Sequence, residues 1–320
     1  MCMPWACLHL GLFDIEGTTE QSRRTSTAIE KGDNMEASVI KGALCLEGGS
    51  LRGLFTAGVL DVFLEQGIHI EYVNGVSAGS MNGMNYVSRQ AGRSKRINLK
   101  YVHDKRYISF MNMYRRRRIF NFDFLFEEIS GKYDPFDWDC FLHGGQRLEV
   151  VATRCKTGAP AYFDRDHTKD FIAAVKASAS IPVMSQMVDV AGKKYLDGGV
   201  SMPVAYERAF ALGYKKAVVV LTREKGYRKK EPGVFTRRMY EKYFAPLPDF
   251  LEALREVPRR YNRMQEEMER LEQEGKLFII RPPQKVVVKR LEQSRGKLEA
   301  LYRQGREAAE EAKASLLEFL

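Results

Sequence analysis

The sequence predicts an α/β fold with a mainly parallel central sheet, and three observations carry this prediction. Apolar, β-prone stretches recur at Val39–Leu46 and at residues 68–73, 147–153 and 216–222. A glycine loop or turn and a helix-like stretch follow each of the first two, which is typical of a βαβαβ run. The hydrophobic content of 44% in 320 residues is enough for a sizeable core. We therefore expect parallel strands whose carboxyl ends lie side by side.

The composition limits the compartment and the partners. No apolar run approaches the roughly 18 residues that would suggest a membrane span. The five cysteines are odd in number and lack paired metal spacing, which predicts a protein of the reducing cytoplasm with no disulfide or zinc framework. The net charge of +10 fits anionic lipid, nucleic acid or solubility alone. No nucleic-acid-binding motif is present, so that partner is not expected. The oligomeric state is left open.

Residues 1–38 differ in character from the rest of the chain. The first 13 residues are weakly apolar but have no basic leader, which makes them a poor signal peptide. Residues 18–34 are polar, as in a disordered segment. We expect an N-terminal extension over residues 1–38 and hypothesise that Met35 is the true start.

A glycine loop follows the first strand. Residues 47–53 read Glu-Gly-Gly-Ser-Leu-Arg-Gly, and residues 54–66 continue as an apolar stretch typical of a buried helix. Such a loop can cradle an anion. A dinucleotide-binding fingerprint would need glycine at Ser50, and a Walker loop would need Gly-Lys-Ser/Thr. We favour a third interpretation, an oxyanion hole at Gly48, Gly49, Ser50 and Arg52, because the next strand ends in a candidate nucleophile.

That nucleophile is Ser77. Residues 74–79 read Asn-Gly-Val-Ser-Ala-Gly between the strand at 68–73 and a helix-like stretch at 80–87. A strand, a Gly-x-Ser-x-Gly turn and a helix form a nucleophile elbow, in which Gly75 and Gly79 leave room for a sharp turn. Backbone N–H groups and the helix dipole there favour an oxyanion. The alternative is a glycine-rich turn around a buried serine, since the bare pattern is common by chance.

A cap-like insertion is predicted over residues 93–146. Four arginines at residues 115–118 directly precede a stretch rich in phenylalanine that reaches Trp138. One interpretation is a lid or lipid-facing surface that contacts anionic membranes. The other is a charged helix end followed by a packed cap segment.

A helix and a turn are predicted in the second half of the catalytic domain. The helix at Phe171–Ser178 is ended by Pro182. Asp197, Gly198 and Gly199 then form an Asp-Gly-Gly sequence, which taken alone indicates a turn.

Residues 223–320 are first basic and then helical in pattern, with a strand at Leu277–Ile280 and a final amphipathic helix marked by Leu291 and Leu298. We expect an α-rich extension that packs on the catalytic domain, residues 39–222, and interpret its periodic positions as structural faces.

The order of these motifs resembles the patatin-like phospholipase family, in its short bacterial branch. The resemblance rests on the glycine loop, the Ser77 turn and the Asp197-Gly198-Gly199 sequence, and an Ala-Ser-x-x-x-Pro stretch ending at Pro182 is similar as well. It covers residues 39–222. The chain departs from the family's Gly-Gly-Gly-x-Arg-Gly loop at Ser50, which keeps a backbone N–H but reduces the freedom of the loop.

The resemblance implies a three-layer α/β/α fold and lipid acyl hydrolysis without a metal or cofactor. It also implies that Asp197 is the catalytic aspartate and acts on Ser77 directly. An alternative base is His167 with Asp164, although both lie in a polar loop. Two rivals to the hydrolase remain: a non-enzymatic lipid-binding or regulatory protein on the same fold, and an acyltransferase or thioesterase. The resemblance leaves the head group and acyl-chain length open.

Overall fold

The structure is a computed structural model that describes residues 39–109 and 119–320, and the structural statements below refer to these residues. The extension over residues 1–38, the start at Met35 and the four arginines at residues 115–118 lie outside the described residues.

The described strands form one mixed sheet. They are β1 (Val39–Leu46), β2 (His69–Val76), β3 (Arg147–Arg154), β4 (Pro160–Asp164), β5 (Val188–Val190), β6 (Lys193–Asp197), β7 (Ala217–Val220) and β8 (Leu277–Ile280). Their order is β5-β6-β3-β2-β1-β7-β8, and β4 also pairs with β3. The run β3-β2-β1-β7-β8 is parallel, whereas β4, β5 and β6 pair antiparallel. The predicted α/β fold with a mainly parallel central sheet is confirmed.

The helices cover both faces of this sheet. They are α1 (Gly53–Glu65), α2 (Ala78–Val87), α3 (Arg93–Tyr101), the π-type helix α4 (Phe124–Tyr133), α5 (Trp138–His143), α6 (Phe171–Ser178), α7 (Tyr206–Ala211), α8 (Val234–Phe244), α9 (Pro248–Arg255), α10 (Val257–Gln273) and α11 (Arg295–Phe319). The predicted C-terminal helices are therefore present. Within the described ranges, no helix has both the length and the apolar character needed to cross a bilayer.

Strand β1 divides the interior into two cores. Leu44 and Leu46 belong to the core that includes residues of α1, α2 and α11, whereas Ala43 and Cys45 belong to the core that includes residues of α7 and α10. Because successive side chains of a strand point to opposite faces, the sheet lies between two helical layers. This is the expected three-layer α/β/α arrangement.

The last helix holds the first one in place. A Cβ atom at Gly58 of α1 would lie 2.1 Å from the carbonyl oxygen of Tyr302, and one at Gly305 of α11 would lie 2.0 Å from that of Phe55. The two helix backbones are thus in direct contact, which only glycine permits. The Tyr302 hydroxyl also donates a 2.7 Å hydrogen bond to Asp61 in this interface. The C-terminal segment therefore anchors the helix that follows the glycine loop.

Candidate active site

Ser77 lies at the sharp turn between β2 and α2. Its backbone has φ 55° and ψ −120°, a strained conformation for a residue with a side chain. A Cβ atom at Gly75 would lie 2.5 Å from the carbonyl oxygen of Gly79, and one at Gly79 would lie 2.4 Å from that of Leu46. Larger residues therefore cannot replace these glycines without moving the backbone. The chain thus turns sharply at Ser77 between a strand and a helix.

Asp197, the last residue of β6, meets Ser77 directly. The Ser77 hydroxyl donates a 2.8 Å hydrogen bond to Asp197 Oδ2, and the Gly199 N–H donates a 2.7 Å bond to Oδ1. Thr153 Oγ1 donates to the carbonyl oxygen of Asp197 at 2.8 Å, which fixes the backbone from β3. Both carboxylate oxygens are therefore held, and one of them faces the serine.

Burial changes the proton affinity of this carboxylate. Asp197 is only 9% exposed, and its burial raises its pKa above the ordinary value. The hydrogen bonds from Ser77 and Gly199 and the charges of Arg290 and Lys229 oppose the rise without cancelling it. A carboxylate with a raised pKa accepts a proton more readily, so the pair can transfer the Ser77 proton to Asp197.

The glycine loop brings backbone N–H groups to the same place. A Cβ atom at Gly48 would lie 2.9 Å from Ser77 Cβ, so the loop contacts the turn. The N–H groups of Gly48, Gly49 and Ser50 have no hydrogen-bond partner among the described residues. The N–H of Arg52, in contrast, donates to the carbonyl oxygen of Gly49 at 3.1 Å. Three free N–H groups can therefore face an anion beside Ser77, and Arg52 contributes only its side chain.

Ser50 has a positive φ of 51°. This is the position at which the resembling family has its third glycine, and the left-handed conformation explains that preference. The loop keeps its turn with serine at the cost of some strain.

Two further groups hold the site, and their contacts could not be predicted from the sequence. Ser178 Oγ accepts the N–H of Ser77 at 2.8 Å and donates to the carbonyl oxygen of Val151 at 2.6 Å. The buried Glu47 accepts hydrogen bonds of 2.9 Å from the hydroxyls of Thr222 and Tyr261. Ser178 fixes the Ser77 turn to β3. Glu47 fixes the start of the glycine loop to the segment that follows β7 and to α10.

Two cavities meet at Ser50 and Ser77, which line both of them. The smaller one, of about 70 Å³, has mainly hydrophobic walls from α1, α2, α3 and the segment before and within α4, and we call it the apolar cavity. The larger one, of about 520 Å³, contains Asp197 and several arginines and lysines, and we call it the basic cavity. The site therefore has an apolar side and a cationic side.

Three of the four phenylalanines in residues 119–126 face the apolar cavity. Phe120, Phe122 and Phe126 line it, and the rings of Phe120 and Phe122 stack with centroids 6.3 Å apart. Phe124 points elsewhere: it is buried, and its ring lies edge-on to that of Tyr101. Because α4 begins at Phe124, the four rings do not share one side as a fully extended stretch would require. Trp138 also lines the cavity and is 42% exposed.

Histidine is absent from the walls of both cavities, as far as the described residues extend. His167 is an exposed ring whose Nδ1 lies 2.8 Å from Asp164 Oδ1, and the same carboxylate pairs with Arg147. This arrangement gives the His167–Asp164 alternative no contact with Ser77. The described ranges also contain no group of three or more His, Cys, Asp and Glu side chains that could hold a metal ion.

Comparison with known proteins gives two family matches. The sequence model described as patatin-like phospholipase matches residues 44–210, which is just over half of the chain. A second model, described as a domain of unknown function (DUF6363), matches residues 247–320.

Two individual proteins are similar to the chain. The uncharacterized protein YjjU of Escherichia coli (strain K12) is 29% identical over 185 residues, which are 56% of this chain and 51% of YjjU. The match thus spans about half the length of this curated relative. Among solved structures, VipD from Legionella pneumophila is similar with a TM-score of 0.42 and 14% identity, over 85% of this chain and 67% of VipD.

Proposed function

The chain belongs to the patatin-like phospholipase family, and from this premise we propose that it hydrolyses the carboxylic esters of phospholipids or related lipids. Ser77 is the proposed nucleophile and Asp197 the proposed general base. The observation that carries the proposal is the 2.8 Å hydrogen bond from Ser77 Oγ to Asp197 Oδ2, in a buried turn that faces two cavities.

The proposed reaction begins with attack of Ser77 Oγ on the ester carbonyl carbon while its proton moves to Asp197 Oδ2. The carbonyl oxygen becomes an oxyanion, and the free N–H groups of Gly48, Gly49 and Ser50 are the candidate donors to it. Collapse of the tetrahedral intermediate breaks the bond to the alcohol oxygen, which takes the proton from Asp197. A water molecule then attacks the acyl-enzyme, gives its proton to Asp197, and releases the fatty acid. The proton returns to Ser77.

The two cavities suit the two halves of a lipid ester. The hydrophobic walls of the apolar cavity fit an acyl chain, because burial of methylene groups is favourable by about 0.8 kcal/mol each. The basic cavity remains for the leaving alcohol and its head group. Hydrolysis of an alcohol ester does not require a strong acid for the leaving group, so one carboxylate can serve both steps.

The test is hydrolysis of p-nitrophenyl octanoate by the purified protein, measured as the release of p-nitrophenol. We expect the wild type to turn over, the Ser77→Ala variant to lose activity while it remains folded, and the Ser315→Ala variant to match the wild type. Ser315 is a suitable control because it is exposed on α11. Wild-type inactivity towards this ester and towards phospholipids, combined with lipid binding, would instead favour the non-enzymatic alternative. A product that depends on an added alcohol or thiol acceptor would favour acyl transfer.

A further inference from the structure

The walls of the basic cavity carry a large excess of positive charge. Among the described residues, six cationic side chains line it, and only two carboxylates do: Arg52, Arg223, Arg228, Lys229, Lys230 and Arg290 against Glu47 and Asp197. Both carboxylates are engaged, Glu47 with Thr222 and Tyr261 and Asp197 with Ser77. Little negative charge remains to balance the cations.

Five of these six cations have no ion-pair partner among the described residues. Arg228 lies within 4.0 Å of Glu266 and Glu269, but no ion pair there includes Arg52, Arg223, Lys229, Lys230 or Arg290. Arg52 is the clearest case: it is 8% exposed, and its Nε is buried without a hydrogen-bond partner. Nε of Arg223 is likewise buried and unpartnered. Arg223 and Lys229 are half-buried, and Arg290 is exposed at the cavity mouth. A buried cation without an anionic partner is costly, so the cavity around Arg52 suits an anion.

The protonation behaviour of the walls agrees with this geometry. Burial lowers the pKa of Arg52 to about 10, and the neighbouring charges of Arg223 and Arg290 contribute. Burial also lowers the pKa of Lys229 to about 8; attraction to Glu47 and Asp197 opposes this change, and repulsion from Arg290 and Arg52 adds to it. The cations therefore repel one another in a partly desolvated space, and an anion between them would relieve that repulsion.

We propose that the basic cavity binds a phosphate group, in the first place the phosphate of a lipid head group whose ester carbon lies at Ser77. A guanidinium group presents several N–H donors in a fork that matches the oxygens of a phosphate, and three arginines other than the paired Arg228 line this cavity. Aromatic rings hold two of the cations: the Arg223 guanidinium lies 4.3 Å from the Tyr227 ring centroid, and Lys229 Nζ lies 4.0 Å from that of Tyr261. The lipid identity rests on the proposed function, whereas the phosphate site does not.

The subsite draws on the C-terminal part of the chain. Arg223, Lys229 and Arg290 all follow the segment that the family model matches, which ends at residue 210. Arg290 falls within the region matched by the domain of unknown function. Besides Arg52, recognition of the phosphate thus draws on residues outside the family-matched segment, placed near Ser77 by the packing of α10 and the chain before α11.

The experiment compares two esters that differ only in the phosphate. Values of kcat/KM are measured at fixed ionic strength for 1-octanoylglycerol 3-phosphate and for 1-octanoylglycerol, and their ratio is the readout. Arg223→Gln/Arg290→Gln should lower this ratio about tenfold or more, equivalent to about 1.4 kcal/mol. Because both esters are cleaved by Ser77 and Asp197, an effect of the substitutions on the general base lowers both kcat/KM values equally and leaves their ratio unchanged. The matched control is Arg237→Gln/Arg238→Gln, which removes two exposed charges outside the cavity and should keep the wild-type ratio.

A titration tests the site without catalysis. Inorganic phosphate and glycerol 3-phosphate should each bind the wild type at low salt. Both should bind the Arg223→Gln/Arg290→Gln variant about tenfold more weakly. Lys229→Gln provides a second variant, since its amino group makes a ring contact but no hydrogen bond within the described part of the chain. Weakened titration with an unchanged kinetic ratio would assign the cavity to free phosphate. Unchanged titration and ratio in both variants would overturn the proposal. Wild-type failure to cleave either ester would instead refute the proposed function, and the titration would still decide the phosphate site.

Discussion

Replacing Asp197 with asparagine should remove the proposed base and leave the fold intact. The amide has the shape of the carboxylate, and its oxygen can still accept the hydrogen bond from the Gly199 N–H. Its NH₂ group would then face Ser77 Oγ, where it donates a hydrogen bond and cannot take a proton. We expect kcat/KM for p-nitrophenyl octanoate to fall by about 10²–10⁴, the range for a positioned base. The upper part of this range is expected, because the other carboxylate in the basic cavity, Glu47, is already engaged.

The pH dependence gives the same prediction an independent readout. Asp197 accepts a proton only when ionised, and burial raises its pKa. The wild-type kcat/KM should therefore rise with pH along a limb that lies above the ordinary carboxylate value of 3.8, and Asp197→Asn should lack that limb. The raised pKa also means that the folded state binds this proton more tightly than the unfolded state. Ionisation of Asp197 thus costs stability as pH rises through its folded pKa, and the variant should unfold at no lower temperature than the wild type at pH 7.

The control is His167→Ala, which removes an exposed ring from the Asp164 pair and should leave kcat/KM unchanged. The reasoning is refuted if Asp197→Asn retains wild-type activity, or if His167→Ala is equally damaging while the protein stays folded.

Three further predictions address the loop, the basic cavity and the segment outside the described residues. Ser50→Gly should relieve the strain of the left-handed backbone, while glycine also raises the conformational entropy of the unfolded chain. Because these effects oppose each other, the free energy of unfolding in urea titrations should change by no more than about 1 kcal/mol, and activity should be kept. Complete loss of activity would contradict the loop assignment. Sulfate keeps a constant charge near neutrality, so its inhibition should weaken as pH rises through about 8, where Lys229 loses its proton. Lys229→Gln should flatten this pH dependence. An identical dependence in the variant would exclude Lys229 from the anion site. We also propose that residues 115–138 contact anionic membranes, so glutamine at residues 115–118 should weaken binding to phosphatidylglycerol vesicles at low salt while turnover of a soluble ester is kept; unchanged vesicle binding would remove this role.

Much of the fold was predictable because its strands and helices are strongly patterned. Strand β1, helix α6 and strand β8 have the predicted bounds. The antiparallel strands were not expected: β5 has three residues, and β4 and β6 have five each, too few for a clear alternation. The final helix begins at Arg295, so Leu291 lies before it. In the basic part of the extension, Arg237 and Arg238 belong to α8. The division of the chain at residue 222 stays a prediction.

The candidate site was predictable only where residues are close in sequence. The Ser77 turn and the glycine loop have a fixed spacing, and the family resemblance added Asp197. The basic cavity has no such signal, because Arg52, Arg223 and Arg290 come together only through tertiary packing. The interpretation of the C-terminal positions as structural faces alone therefore missed Arg290. Ser178 was part of a recognised sequence motif, but its hydrogen bond to the Ser77 N–H required the folded chain.

Covalent labelling by a fluorophosphonate probe tests the central claim most directly, since such a probe reacts with an activated serine. Peptide mass spectrometry of the labelled wild type should place the single modification on Ser77. Labelling should be absent in Ser77→Ala and much slower in Asp197→Asn, because the hydroxyl would lack the base to which it donates at 2.8 Å. Modification of a different serine, or equally fast labelling of Asp197→Asn, would contradict the pairing of Ser77 with Asp197.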